Sequence, residues 1–153
     1  MSIPTLKRTY SGEADFRMLI KELDNDLRER NGNIMDVYDG HNVIGHIDTV
    51  VIAYLGSIPA GCGCFKKYSD DTAEIKRMYV RPNARRKGLS RMILNELEAW
   101  AKSLGFAYVV LETGSKQQEA LGLYSQAGYV NIPAYPPYID LPDSVCFKKK
   151  LTA

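Results

Sequence analysis

Apolar residues recur at two different spacings along this chain, and each spacing predicts a different kind of element. Spacings of three and four positions are typical of an amphipathic helix, whereas short runs of β-branched and aromatic residues are typical of buried strands. Helical spacing predicts helices over residues 16–27, 89–104 and 120–127. Strand-forming runs cover residues 5–10, 49–55, 60–67, 73–80, 106–112, 129–132 and 144–151.

Capping and turn residues set the expected ends of these elements. Ser11 stands where the N-cap of the first helix is expected, and residues 31–33 (Asn-Gly-Asn) are expected to end that helix. Residues 33–48 have no clean period and are predicted to form a loop or a short helix. Gly105 and Gly128 follow the last apolar positions of the second and third helices, where a left-handed residue commonly ends a helix.

The order of elements predicts an α+β fold formed by one domain over residues 1–153. Turn residues at 56–59 and 69–72 join consecutive strands and predict antiparallel hairpins. The helix at 89–104 connects two strands as a crossover, which implies that they are parallel. We therefore expect a central mixed, twisted sheet of six or seven strands flanked by helices.

Composition and charge exclude several classes of protein. The 153 residues are 45% hydrophobic and 25% charged, which is ordinary for a globular domain and disfavours disordered and collagen-like chains. No run approaches the roughly 20 apolar residues of a membrane span, so we expect a cytoplasmic protein without a membrane partner. We also expect a monomer or a homodimer. The net charge of +2 says little about partners.

Cysteine and histidine give no clear metal or redox signal. Cys62, Cys64 and Cys146 are too few for a disulfide framework, and we interpret them as small buried apolar residues rather than metal ligands. His41 and His46 lie in the irregular segment, and solvent-exposed loop histidines are favoured over metal ligands or a catalytic base. We predict no metal site.

Basic residues are concentrated between positions 76 and 91. This window contains seven of the 20 Lys and Arg residues and no acid, so the other 137 residues carry 13 bases against 18 acids. It joins a predicted strand to a predicted helix, and Gly88 lies just before that helix. The first turn of a helix presents unpaired N–H groups and a partial positive charge, so this turn is a candidate phosphate site.

The loop itself excludes two common phosphate-binding motifs and resembles a third. It has a single glycine, whereas a P-loop and a dinucleotide-binding loop each need more. Residues 85–90 (Arg-Arg-Lys-Gly-Leu-Ser) resemble the Arg/Gln-x-x-Gly-x-Gly/Ala pyrophosphate loop of the GNAT N-acetyltransferases, with Ser90 replacing the last Gly or Ala. The resemblance implies acetyl-CoA as cosubstrate, bound where strands 73–80 and 106–111 diverge like a V. The implied coenzyme contacts are Met78, Val80, Arg85, Arg86, Lys87, Gly88, Leu89, Ser90 and Gln117.

Acetyl transfer to an amine calls for a base, or for a site that lowers the pKa of the amine, because an amine of pKa near 10.4 is neutral in only about one molecule in 2,500 at pH 7. Glu74 matches the position of the glutamate base in histone-type members of this family. Glu112, at the end of the neighbouring strand, is the rival base and a candidate acceptor contact. Residues 120–124 (Ala-Leu-Gly-Leu-Tyr) resemble the family's Ala-x-x-Leu-Tyr segment, which implies that Tyr124 donates a proton to the departing thiolate.

The acceptor is expected to be a primary amine of a small molecule or peptide. Loops commonly carry specificity, so residues 33–48 and the proline-rich loop 132–143, with Tyr135 and Tyr138, are the candidate acceptor contacts. A non-catalytic CoA-binding module is the alternative function. A nucleic-acid binder is disfavoured by the near-neutral charge.

Overall fold

The computed structural model describes residues 3–31 and 46–151, and within them the predicted order of elements is confirmed. The elements are β1 (Pro4–Thr9), α1 (Ala14–Asn31), β2 (Val50–Leu55), β3 (Ile58–Ser69), β4 (Thr72–Val80), a 3-10 turn (Pro82–Ala84), α2 (Leu89–Ser103), β5 (Tyr108–Gly114), α3 (Gln118–Gln126), β6 (Val130–Ile132) and β7 (Ser144–Lys150). The prediction of a loop or short helix for residues 33–48 lies outside the described residues up to position 45, and so does His41.

All seven strands form one mixed sheet in the order β1-β2-β3-β4-β5-β7-β6. Neighbouring strands are antiparallel except β4 and β5, which are parallel because α2 carries the chain across the sheet between them. This confirms the predicted crossover and the expected sheet of six or seven strands.

Alternate residues of each strand point to opposite sides of the sheet, so both faces carry apolar side chains. Helices pack against both faces. On one face α2 and α3 pack over the main core, to which β2 contributes Val51 and Ala53. On the other face α1 packs over Val50 and Ile52. The proline-rich loop before β7 covers the remainder of that second face.

Two helix-ending glycines were predicted correctly, whereas the predicted N-cap was wrong. Gly105 and Gly128 adopt φ values of 97° and 94°, in the left-handed region that favours glycine. Ser11 precedes α1 by three residues and instead forms a pair with Ile47. Its N–H donates to the Ile47 carbonyl (2.8 Å) and its hydroxyl accepts from the Ile47 N–H (2.9 Å).

In the described part of the chain, no helix combines the length and apolar character that a membrane crossing requires.

Candidate active site

A cleft of about 740 Å³ opens between β4 and β5. These strands pair only from Thr72 to Ile75 on β4 and from Tyr108 to Leu111 on β5. Beyond Ile75 the two strands diverge, and no further pairing between them is present in the described part of the chain. The V-shaped opening expected from the resemblance is therefore present.

A β-bulge in β4 lies where the strands separate. Cys62 of β3 pairs with Tyr79 and Cys64 pairs with Lys76, so Gly63 alone lies opposite both Arg77 and Met78. Arg77 has φ 59°, an uncommon conformation for a residue other than glycine. Because a bulge bends its strand and increases the local twist, it turns β4 away from β5 at the mouth of the cleft.

The turn before α2 has the geometry of an anion site. Gly88 has φ 79°, and the first intrahelical bond of α2 runs from Met92 N–H to the Gly88 carbonyl (3.1 Å). The N–H groups of residues 89–91 precede that bond and are the unpaired amides of the first helical turn. A Cβ on Gly88 would have no atom within 4 Å, so open space lies in front of these amides. These features make the turn a candidate site for a phosphate group.

Arg85, the first residue of the loop motif, turns its side chain away from the anion site. Its Nε donates to the Val80 carbonyl (2.9 Å), and its guanidinium lies 3.9 Å from Asp26 of α1. Arg86 and Lys87 are exposed. The basic charge closest to solvent at this loop therefore comes from Arg86 and Lys87.

Two further arginines of the basic window pair with α1. Arg81 donates hydrogen bonds to the Glu22 carboxylate from Nε (3.0 Å) and Nη2 (2.6 Å), and the Tyr79 hydroxyl donates to the same carboxylate (3.1 Å). Hydrogen bonds from Arg81 lower the pKa of Glu22 below its usual value. Arg77 pairs with Asp24. Much of the basic charge that the sequence places near the loop thus anchors α1 to β4.

Tyr124 of α3 is 5% exposed and lines the cleft. Its ring contacts Tyr129 and Phe147 at centroid distances of 5.7 and 5.9 Å. Burial, and secondarily the charge of Glu112, raises the pKa of Tyr124. The phenol therefore stays protonated at neutral pH, as a proton donor must.

Glu112 lies on β5 and lines the same cleft. Burial raises the pKa of its carboxyl, while the Ser144 hydroxyl, which donates to Glu112 Oε2 at 2.6 Å, opposes that shift. A raised pKa makes the carboxylate a stronger base than an ordinary glutamate, and the hydrogen bond from Ser144 fixes its orientation.

Glu74 occupies a more enclosed position on β4. It is 3% exposed, it accepts a 2.9 Å hydrogen bond from the Tyr135 hydroxyl, and Lys66 Nζ lies 3.9 Å from its other oxygen. Among the described residues that line the cleft, Glu74 does not appear. Its carboxylate faces the proline-rich loop.

The two tyrosines predicted to meet the acceptor are buried beside Glu74. Tyr135 is 9% exposed and Tyr138 is 1% exposed, and their rings contact each other at 5.5 Å. Lys76 donates to the Tyr138 hydroxyl (3.1 Å), and burial lowers the pKa of this lysine. Lys76 lines the cleft and was missed by sequence reasoning, which counted it only among the basic residues.

The structure brings most of the predicted coenzyme contacts to this cleft. Its described lining includes Met78, Val80, Arg85, Arg86, Gly88, Leu89, Ser90 and Gln117. Lys87 lies outside that lining, on the exposed side of the loop. The sequence analysis also did not predict the bulge at Arg77, because no residue type in β4 indicates one.

Comparison with known sequences finds matches to acetyltransferases. The model of the acetyltransferase (GNAT) family matches residues 4–129. The chain is 30% identical over 102 residues to the IAA acetyltransferase of Azospirillum brasilense, covering 66% of this chain and 67% of that protein. It is 33% identical over 101 residues to the uncharacterized N-acetyltransferase YsnE of Bacillus subtilis, covering 65% and 67%.

Solved structures share the whole fold. An acyl-CoA N-acyltransferase of Klebsiella pneumoniae, so described, superposes with a TM-score of 0.80 at 27% identity, covering 98% of this chain and 99% of that one. YncA of Salmonella typhimurium, solved with acetyl-CoA, gives a TM-score of 0.71 at 17% identity, covering 99% and 96%. N-acetylglutamate synthase of Neisseria gonorrhoeae, solved with coenzyme A, gives 0.72 at 16% identity, covering 100% and 36%.

Proposed function

The chain belongs to the GNAT family of acetyl-CoA-dependent N-acetyltransferases, and from that premise we propose that it acetylates a primary amine by direct attack of the neutral amine on the thioester. The observation that carries this proposal is the cleft between β4 and β5, which joins the turn at the start of α2 to the buried Tyr124 and the partly buried Glu112. Binding and chemistry then share one continuous space.

Acetyl-CoA is proposed to lie along the cleft with its pyrophosphate at the turn before α2. Backbone N–H groups of residues 89–91 and the helix dipole would hold the phosphates, and Ser90 adds a hydroxyl. Arg86 and Lys87 would add long-range attraction that salt screens. Gln117 also lines the cleft, and we propose that its amide bonds the pantetheine arm.

The reaction forms an N–C bond and breaks the C–S bond of the thioester. We propose that backbone N–H groups of β4 beyond the bulge polarise the thioester carbonyl, since they face the cleft without a partner strand. Tyr124 then gives its proton to the departing sulfur. The acetylated amine loses one proton, which a base must accept.

For the base we propose Glu112. It lines the cleft together with Tyr124, and burial raises its pKa toward the range in which a carboxylate is an effective base. Glu74, which the family resemblance suggests, lies beneath Tyr135 and would need that ring to move before it could meet an amine. Tyr135 and Tyr138 remain proposed acceptor contacts, and they too could meet the acceptor only after the Tyr135 ring moves.

A thiol-release assay tests the function. Purified protein is mixed with acetyl-CoA and a panel of primary amines, including polyamines, amino acids, aminoglycosides and short peptides. We expect amine-dependent release of CoA by the wild type and little release by Tyr124→Phe. Binding of CoA by calorimetry, without release for any amine, would favour the non-catalytic CoA-binding module.

A further inference from the structure

The segment Gly61–Cys64 of β3 is shaped to fit the bulge of β4. A Cβ on Gly63 would lie 2.5 Å from Met78 Sδ, and a Cβ on Gly61 would lie 2.8 Å from the Tyr79 carbonyl oxygen. Both distances are far below van der Waals contact. At Gly61 the clash is with backbone, so glycine lets β3 approach β4 this closely, whereas at Gly63 the space is filled by the side chains of Met78, Ile93 and Leu97.

Cys62 and Cys64, which flank Gly63, contact backbone carbonyls at the bulge. Cys62 Sγ lies 3.6 Å from the Arg77 carbonyl oxygen, and Cys64 Sγ lies 3.4 Å from the Lys76 carbonyl oxygen. Both thiols are fully buried. Burial raises the pKa of Cys64 to about 12 and raises that of Cys62 well above its usual value, so both sulfurs keep their hydrogen and can donate it.

These contacts lie where the bulge interrupts the regular ladder between β3 and β4. A backbone carbonyl has two lone pairs, so it can accept a thiol hydrogen in addition to any other hydrogen bond. Thiols are weak donors, yet they are small and apolar enough to sit in a packed core. A cysteine can therefore donate to a backbone carbonyl where a larger polar side chain would not fit.

We propose that Cys62 and Cys64 are positioning residues for acetyl transfer, because their thiol hydrogens hold the Arg77 and Lys76 carbonyls and so fix the bulge that aims the cleft side of β4 at the thioester. The inference rests on the proposed function, in which β4 backbone groups polarise that carbonyl. Neither cysteine lines the cleft or touches substrate in this account.

Replacement at each site separates the hydrogen bond from packing. Alanine removes the thiol, valine fills a similar volume without a donor, and serine keeps a donor. We expect kcat to fall roughly 3- to 10-fold in Cys62→Ala, Cys64→Ala and Cys64→Val, the range for one modest hydrogen bond, with a smaller loss in Cys64→Ser. If an alanine variant does not fold, comparing kcat between Cys64→Val and Cys64→Ser still tests whether the thiol hydrogen bond is needed.

A binding measurement gives a second readout that needs no acceptor. If the bulge aligns groups with the thioester carbonyl, the valine and alanine variants are expected to lose affinity for acetyl-CoA but not for CoA, as measured by calorimetry. Cys146→Ala, which removes a buried thiol from β7, is the control and keeps both affinities and kcat.

The outcomes separate this inference from the proposed function. An active wild type whose alanine and valine variants keep full kcat and an unchanged ratio of the two affinities would overturn the role of the cysteines alone. A loss of melting temperature without any change in kcat would also overturn it, because packing then explains the contacts. A wild type that releases no CoA with any amine would defeat the proposed function itself.

Discussion

Tyr135 covers Glu74, since its hydroxyl donates a 2.9 Å hydrogen bond to a carboxylate that is 3% exposed. The two residues are 61 positions apart, on the proline-rich loop and on β4. Glu112, by contrast, lines the cleft. The two glutamates are therefore expected to respond differently to the same substitution.

The first prediction concerns the base. Glu112→Gln keeps the volume and can still accept from Ser144, but it cannot take up the amine proton, so kcat/KM is expected to fall roughly 10²-fold or more. In the wild type kcat/KM falls as pH drops through the raised pKa of Glu112. That acid limb is expected to vanish in the variant when the full pH–rate profile is measured.

Glu74→Gln is the matched comparison. It is expected to keep the acid limb and to lose about 1–3 kcal/mol of stability, since a buried charge-assisted hydrogen bond is weakened. The opposite result, in which the limb disappears with Glu74, would make Glu74 the base, as the family resemblance suggests.

The second prediction follows from the same raised pKa and concerns stability. A carboxyl whose folded pKa is raised holds its proton longer in the folded state, so its contribution is full below the unfolded pKa and is lost as pH rises through the folded pKa. Glu112→Gln is expected to flatten this decline in melting temperature. An unchanged pH profile of melting temperature would show that Glu112 titrates as an exposed glutamate does.

The third prediction tests the anion site. Gly88→Val is expected to weaken acetyl-CoA binding at least ~10-fold, because a side chain would occupy the space in front of the α2 amides and would strain φ 79° by about 1–2 kcal/mol. Calorimetry measures the affinity.

Gly105→Val controls for strain alone. Gly105 also has a left-handed φ and no atom within 4 Å of a Cβ, but it lies after the other end of α2. We expect a loss of stability with normal affinity. Equal affinity losses in the two variants would argue against phosphate binding at the turn.

The fourth prediction concerns the acid. Tyr124→Phe preserves the ring contacts and removes the proton donor, so turnover is expected to fall roughly 10²- to 10⁴-fold with acetyl-CoA affinity retained. Tyr129→Phe is the control, since the Tyr129 hydroxyl donates to Glu98 (2.8 Å). It is expected to cost stability and spare turnover. Full turnover in Tyr124→Phe would reduce this tyrosine to a packing role.

The fifth prediction concerns the anchoring of α1. A double-mutant cycle between Arg81→Gln and Glu22→Gln is expected to give a coupling of about 1 kcal/mol in the free energy of unfolding, since the pair is bidentate but partly exposed. Glu22 has a lowered pKa, so this stabilisation is lost as pH falls through its folded value. The exposed pair Lys67–Asp70 is the control and is expected to give a coupling near zero.

Element types and their order could be predicted because burial on one face imposes a period on the sequence. The bulge could not, since residues 74–80 have the composition of one continuous strand and nothing marks Arg77 for φ 59°. Ser11 was misassigned because its hydroxyl suits a helix cap and an irregular pair with Ile47 equally well.

The position of candidate site residues could be predicted where they are close in sequence, and their contacts could not where the partners are distant. The loop 85–90 lies in one stretch, so its place at the start of α2 could be inferred. The partner of Arg81 is Glu22, 59 residues away. Only the packing of α1 on the sheet shows that this arginine holds α1 in place rather than binding a ligand. The burial of Glu74 likewise depends on Tyr135, which belongs to another part of the chain.

Backbone amides of β4 divide into two classes with respect to hydrogen–deuterium exchange, because pairing with β5 ends at Ile75. Those held in the ladder up to that residue are expected to exchange slowly, with the core of the sheet. The amides of Met78 and Val80 lie beyond the last pair with β5 and are expected to exchange sooner. Bound coenzyme would occupy the place of the missing strand, so its footprint should appear as new protection confined to this short stretch.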